Sequence, residues 1–100
     1  PEHIVAGAAE LGLFGVSIPQ RYGGLQPDDR PDTLAMLVVT EALSAASLGA
    51  AGSLVTRPEI MARALLAGGT DAQREHWLPR LASGAALCAI SITEPDHGSD

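Results

Sequence analysis

Apolar residues recur at helical spacing along most of this chain, and short polar or glycine-rich breaks separate the runs. From Glu2 to Leu13, the residues Ile4, Val5, Ala8, Ala9 and Leu11 form one side of a first helix, with Gly12 and Gly15 as stop signals. Phe14 to Pro19 reads as an extended connector. Gln20-Arg21-Tyr22-Gly23-Gly24 reads as a turn in which glycine supplies positive φ. Pro27 to Asp32 is a helix entrance: Pro31 suits a first helical turn, and Asp28, Asp29 and Asp32 put negative charge at the positive end of the helix dipole.

Between Thr33 and Thr56 the sole charged residue is Glu41, set among Leu34, Met36, Leu37, Val38, Val39 and Leu43. A helix apolar on nearly every face is expected at the centre of a bundle. Glu41 is then either a catalytic carboxylate or, the stronger reading, a structural carboxylate paired with an arginine of a neighbouring helix. Gly49-Ala50-Ala51-Gly52 loosens the chain or lets two helices approach closely. Thr56-Arg57-Pro58-Glu59 has the form of a capping box with proline second, which predicts a helix from about Arg57 to Ala67, ended by Gly68-Gly69. Thr70-Asp71-Ala72-Gln73 repeats the device and starts a helix that carries Trp77 and Leu78 inward and is interrupted near Pro79. Leu81 to Gly84 completes the helical part. Leu87 to Ile92 then reads as a short, half-buried strand, stopped by a turn at Pro95 to Gly98.

Composition agrees with an all-α body. With 46% hydrophobic residues but only three aromatic ones, the core is built of Ala, Leu, Val and Ile, which suits closely packed helices. One hundred residues is the size of one modest core. The division expected is a helical domain over residues 1–85 and the start of a β domain over 86–100. Twelve acidic residues against six arginines and no lysine give a net charge of -6, which argues against a nucleic-acid or anionic-membrane surface. Any anionic ligand would need local arginines or backbone amides. Cys88 is the only cysteine; it excludes an internal disulfide and reads as a buried thiol in a reducing, cytoplasmic compartment. No leader or membrane-crossing run is visible. The chain starts at Pro1 and stops at Asp100 without punctuation, as a segment of a longer protein does.

The last stretch carries the candidate chemistry. A strand ending in a turn that displays Thr93, Ser99 and free backbone N–H groups suits a planar, hydrogen-bonding cofactor or an anionic ligand, and Gly98 lets the backbone approach what a side chain would block. Asp96, His97 and Asp100 also offer metal-ligand chemistry, but three ligands in one turn with no second cluster make a poor site, and no metal is expected. Thr93-Glu94-Pro95 followed by Gly98-Ser99-Asp100 resembles the T-E-P-x-x-G-S-D signature of the acyl-CoA dehydrogenases. Two upstream blocks follow in order. Pro19 to Gly24 resembles that family's P-x-x-Y-G-G turn, and Gly69 to Gly84, with Gln73, Trp77-Leu78-Pro79 and Leu81-Ala82-Ser83-Gly84, resembles its G-x-x-x-Q-x-x-x-[YW]-L-P-x-L-A-x-G run.

The resemblance implies an N-terminal helical bundle running into a β domain, and FAD as cofactor in the α,β-dehydrogenation of an acyl-CoA. It also implies electron-transfer flavoprotein or a similar acceptor as partner, and a homotetramer or homodimer. By position, Ile90, Ser91 and Ile92 present backbone groups to the isoalloxazine, and the Thr93 hydroxyl reaches its N5/O4 edge. Gly98 stands in the same turn, and Ser99 sits where flavin meets the CoA side of the substrate. Glu94 and Asp100 hold the turn. No catalytic residue is expected, because the family's base lies far downstream. Asp96-His97 departs from the small residues usual there. Arg57 falls in the region that resembles the part lining the acyl tail, where it either binds a carboxylate at the far end of a branched or dicarboxylic substrate, as in methylsuccinyl-CoA dehydrogenase-type members, or is a solvated neighbour of Glu59. An acyl-CoA oxidase shares the site. A non-enzymatic α-helical interaction module, in which the turn is only a frayed end, is the reading from another class.

Overall fold

The computed structural model describes residues 2–99. A seam of six residues, Phe14 to Pro19, organises the body: all are buried. The first helix, α1 (Glu2–Glu10), ends before this seam and short of the predicted Leu13, because Gly12 takes a left-handed conformation with φ 71°. The seam itself is not an extended connector. Leu13–Gly15 is a 3-10 turn, and the Ile18 N–H donates to the Gly15 carbonyl at 3.1 Å. So many consecutive buried residues leave the backbone no solvent to bond, and tight local turns satisfy it instead.

Neighbouring seam residues feed two cores. Ile18 packs with Ala62, Leu78, Leu81 and Ala82, while Val16 packs with Met36 and Val55. Between them the Ser17 hydroxyl donates to the Met36 sulfur at 3.5 Å. The loop after the seam closes back on it: Gln26 N–H donates to Ile18, Leu25 N–H to Gly15, and Gln20 N–H to Gln26. Gly23, with φ 84°, ends the 3-10 turn Gln20–Tyr22. The Tyr22 ring packs half-buried against the Ile18 cluster with the Arg21 guanidinium 5.1 Å from its centroid, a packing role in keeping with its place in the turn; its hydroxyl makes no hydrogen bond among the described residues.

Helix α2 (Thr33–Ala46) is capped by Asp32, whose carboxylate accepts from the Ala35 N–H at 2.9 Å. Pro31 therefore stands outside the helix. The apolar run, expected to loosen or to meet a second helix at Gly49 to Gly52, breaks earlier, at Ser47, which has extended backbone and whose hydroxyl accepts from Ala50 N–H to start α3 (Leu48–Ala51). Serine competes with helix interiors for such bonds. Nor is α2 central: only Met36 is buried, and Leu34, Leu37 and Val38 are more than half exposed, as is Leu48 of α3. The seam and Val55 cover one side of α2, and nothing among the described residues covers the other. Glu41 is exposed there, without the predicted arginine partner.

From Gly52 to Thr56 the chain makes a π-helical turn and runs directly into α4 (Arg57–Gly68). The capping box predicted at Thr56 does not form, because Thr56 is already helical and makes no side-chain cap. Glu59 accepts from Arg63 at 2.7 Å instead. Pro58 accounts for the π turn: it has no N–H for the Leu54 carbonyl, and its ring would crowd that oxygen in a regular helix.

Helix α5 (Asp71–Ala82) begins with the predicted capping box, Thr70 hydroxyl to Gln73 N–H at 3.2 Å and Gln73 side chain to Thr70 N–H at 2.8 Å. Arg74 Nε also donates to Leu65, the carbonyl at the end of α4, at 3.1 Å. Pro79 does not interrupt α5. Its missing donor falls on an exposed side of the helix beside Glu75, where the carbonyl left without a helical partner is on the solvent side, and Arg80 bonds the His76 carbonyl next to it. Leu78 is fully buried as predicted, but Trp77 is 45% exposed. The predicted strand from Leu87 to Ile92 is irregular, and the described residues contain no sheet. A strand is defined by ladder hydrogen bonds to a neighbour, and no neighbour is described. The helical body, by contrast, is the all-α bundle expected.

Candidate functional site: an exposed signature segment beside an apolar cleft

Gly84, with φ 73°, turns the chain out of α5, and the Ala86 N–H donation to Arg80 at 3.0 Å is the last backbone bond to the helical body. From residue 87 to 93 no backbone N–H donates to another residue among the described residues, and that of Cys88 meets only its own thiol. Ile90, Ser91, Ile92 and Thr93 are exposed, as are Gly98 and Ser99. The chain then closes a tight turn. Glu94 N–H donates to His97 at 3.0 Å, and His97 N–H to Glu94 at 3.3 Å, with Pro95 and Asp96 at the tip. The Asp96-His97 pair thus sits within a regular two-residue turn. Asp100, expected to help hold that turn, lies outside the described residues.

The donors suit a flavin. An isoalloxazine presents carbonyl oxygens and ring nitrogens along one edge, and a run of unpaired N–H groups with the Ser91, Thr93 and Ser99 hydroxyls supplies what that edge accepts. A Cβ at Gly98 would meet nothing, so the turn also leaves room for close approach.

Behind this segment lies a feature that motif reading missed. Met61 and Leu65 of α4, Trp77 and Leu81 of α5, and residues 86–89 enclose an apolar cleft of about 330 Å³. The Trp77 ring stands edge-on to His76, centroids 4.7 Å apart, at its exposed side. The i, i+4 pair Met61 and Leu65 was the available signal. Arg57 lies one turn earlier on the same helix face, and its charge acts on Cys88, inside the cleft. Arg57 is exposed and has no carboxylate partner among the described residues; Glu59 is engaged with Arg63. Arg57 thus stands one turn before the cleft-lining Met61 with its charge felt at Cys88, though it does not itself line the cleft, and among the described residues no hydrogen bond or ion pair joins it to the turn carrying Ser99.

Burial pushes the Cys88 thiol above its usual value, partly offset by its own backbone N–H and then by the Arg57 guanidinium. Alkylation of Cys88, followed by peptide mass spectrometry across pH, should therefore have its midpoint above that of a free thiol. Arg57→Gln should move it further up, since a positive neighbour favours thiolate. An unmoved midpoint would separate Arg57 from the cleft. Among the described residues no three His, Cys, Asp or Glu side chains gather into a metal site, and no helix is long and apolar enough to cross a membrane.

A helical body with an exposed, donor-rich segment at its edge is a domain suited to presenting a cofactor. The family model for the acyl-CoA dehydrogenase N-terminal domain matches residues 1–85, and the chain belongs to that family of oxidoreductases. It is 48% identical over 100 residues to a (2S)-methylsuccinyl-CoA dehydrogenase of Cereibacter sphaeroides, covering all of this chain and 17% of that protein. It is 37% identical over 99 residues to a mitochondrial very long-chain specific acyl-CoA dehydrogenase of Rattus norvegicus, covering 99% of this chain and 14% of the relative. A 3-(aryl)acrylate reductase of Clostridium sporogenes is 37% identical over 101 aligned positions, with 26% of its length covered. The chain therefore spans from about a seventh to about a quarter of these relatives.

Proposed function

We propose that this chain is part of an FAD-dependent acyl-CoA dehydrogenase that desaturates an acyl-CoA thioester between its α and β carbons. Residues 1–85 serve as its N-terminal helical domain and residues 86–100 as the entry to a flavin-contacting β domain. The whole enzyme works as a homotetramer or homodimer in the cytoplasm and passes electrons to electron-transfer flavoprotein or a similar acceptor. One observation carries the reading: among the described residues the backbone donors of residues 89–93 have no partner and the Ser91 and Thr93 hydroxyls are exposed, just before a closed turn.

Bound FAD supplies the hydride acceptor for the reaction. The chain's own part is to hold and orient. Backbone groups of Ile90, Ser91 and Ile92 would hydrogen-bond the flavin ring edge. The Thr93 hydroxyl would donate to that edge, and Gly98 would permit close approach. Ser99 would serve both the cofactor and the CoA end of the substrate. None of these residues removes the α proton; that base belongs to another part of the enzyme. Arg57, exposed and without a carboxylate partner among the described residues, one helical turn before the cleft-lining Met61, would bind the far carboxylate of a branched or dicarboxylic acyl group, a class suggested also by the methylsuccinyl-CoA relative.

Mass analysis of products from the full-length enzyme with a panel of acyl-CoAs tests this. A product lighter by two hydrogens, formed with an artificial electron acceptor and without peroxide, is expected. Stoichiometric peroxide would make it an oxidase, and no product with any thioester would leave a helical interaction module.

A further inference from the structure

We infer that the exposed side of α2 is a docking surface for an amphipathic helix of about three turns that carries a lysine or arginine in the middle of its apolar stripe and belongs to a part of the full-length protein outside residues 1–100. The inference stands apart from the flavin reading. Leu34, Leu37, Val38, Glu41 and Ala45 are all exposed, and they fall within an arc of about 100° on one side of the helix. Met36 and Leu43, which pack in the cluster with Val16 and Val55, lie on the opposite side. The i, i+3, i+4, i+7 spacing and the width of the arc are those by which a helix meets a packed neighbour. Leu34, Leu37 and Val38 are 71%, 62% and 57% exposed. Contiguous apolar surface of this kind marks an interaction site rather than a solvated face.

Glu41 decides between the occupants. It lies on the midline of the stripe, and covering the leucines takes its carboxylate out of water, which is unfavourable unless a cation comes with the cover. This chain does not provide one. It has no lysine, and among the described residues none of its arginines forms an ion pair with Glu41. A second copy of the face brings a second Glu41 and no cation, since no other charged residue stands between Thr33 and Thr56, and two chains of net charge -6 repel. An anionic lipid surface is disfavoured by the same charges. A helix with one basic residue in an apolar stripe satisfies both the leucines and the carboxylate. The remainder of the protein is the nearest source of one: the chain spans only from about a seventh to about a quarter of the relatives it matches, and a helix on the same polypeptide is held at high effective concentration.

The test uses the full-length protein. Leu34→Cys, Leu37→Cys and Val38→Cys are made singly, labelled with a water-soluble maleimide and read by peptide mass spectrometry. Each should react at least about tenfold more slowly in the native than in the urea-unfolded protein. Glu41→Lys should then speed hydrogen exchange about tenfold or more in α2 and in one helical segment outside residues 1–100, with Glu41→Gln doing so by a smaller factor. That segment should carry a lysine or arginine, and its replacement by glutamate in the Glu41→Lys background should restore the original exchange. Labelling within about threefold of the unfolded rate at all three positions overturns the inference, since the face is then free. So does protection that disappears on dilution, which points to a second copy, or that appears only with anionic-lipid vesicles. A responding segment without a basic residue, or a reversed pair that fails to restore exchange, overturns it as well, because Glu41 then has no part in choosing the partner.

Discussion

Replacing Thr93 by valine in the full-length enzyme should lower kcat about ten- to hundredfold and leave the stability of the helical body unchanged within about 0.5 kcal/mol. The two halves of this expectation have separate grounds. The Thr93 side chain is exposed and makes no hydrogen bond among the described residues, so an isosteric change removes no structural contact. Under the proposed role, its hydroxyl would donate to the edge of the bound electron acceptor, which takes up the hydride. A hydrogen bond to a charged group contributes about 1.5–3 kcal/mol, and donors aimed at developing charge act on kcat rather than on ground-state binding. Thr93→Ser keeps the donor and should retain most of the rate. A Thr93→Val enzyme with unaltered kcat would remove Thr93 from the site.

The largest stability effect is expected at Gly24. A Cβ there would overlap the backbone carbonyl of Ile18, which cannot swing aside as the tip of a side chain can. Ile18 is fully buried in the cluster with Ala62, Leu78 and Leu81. Its carbonyl also accepts the Gln26 N–H at 3.0 Å, and the adjacent Leu25 N–H donates to Gly15 at 2.8 Å. Gly24→Ala must therefore push out the loop, break these bonds or unseat Ile18. The cost should be about 3 kcal/mol or more, above the usual range for overpacking because the obstacle is backbone. Chemical denaturation of the variant and parent checks it. Gly23→Ala is the control: the space beside it is open and only its φ of 84° is unfavourable, a penalty of about 1–2 kcal/mol. Equal, small effects at both positions would mean that the loop does not lie against the seam.

The helical elements were legible where a local signal decides them. Thr70 and Gln73 close the capping box that their spacing announces, and Gly12, Gly23 and Gly84 mark turns as glycines do. Elements set by distant contacts were not. Phe14 to Pro19 has no helical or alternating pattern, so nothing local says that it folds into the middle of the body. Leu34, Leu37 and Val38 look like core residues by type, yet which of them are covered depends on neighbours in space. Thr56 to Glu59 satisfies the capping pattern, but the preceding residues are already helical and the cap has nothing to start. Pro79 shows the converse: a helix breaker is tolerated where the freed carbonyl faces solvent.

The candidate site divides in the same way. The order of the Tyr-Gly-Gly turn, the Trp-Leu-Pro run and the Thr-Glu-Pro segment was readable from sequence, and the family match over residues 1–85 covers the first two. The exposure of Ile90 to Thr93 was not, because an apolar run reads as buried until its partner is known. The cleft was invisible too, since it joins Met61, Trp77 and Cys88 from separate segments.

The most direct test of the central claim is the visible absorbance of the full-length protein, recorded anaerobically before and after addition of an acyl-CoA. The account predicts a flavin spectrum that bleaches with at least one thioester, with methylsuccinyl-CoA the first to try. A protein that is colourless and cannot be reconstituted with FAD would contradict it, and the segment from Ile90 to Ser99 would then be no more than a structural turn.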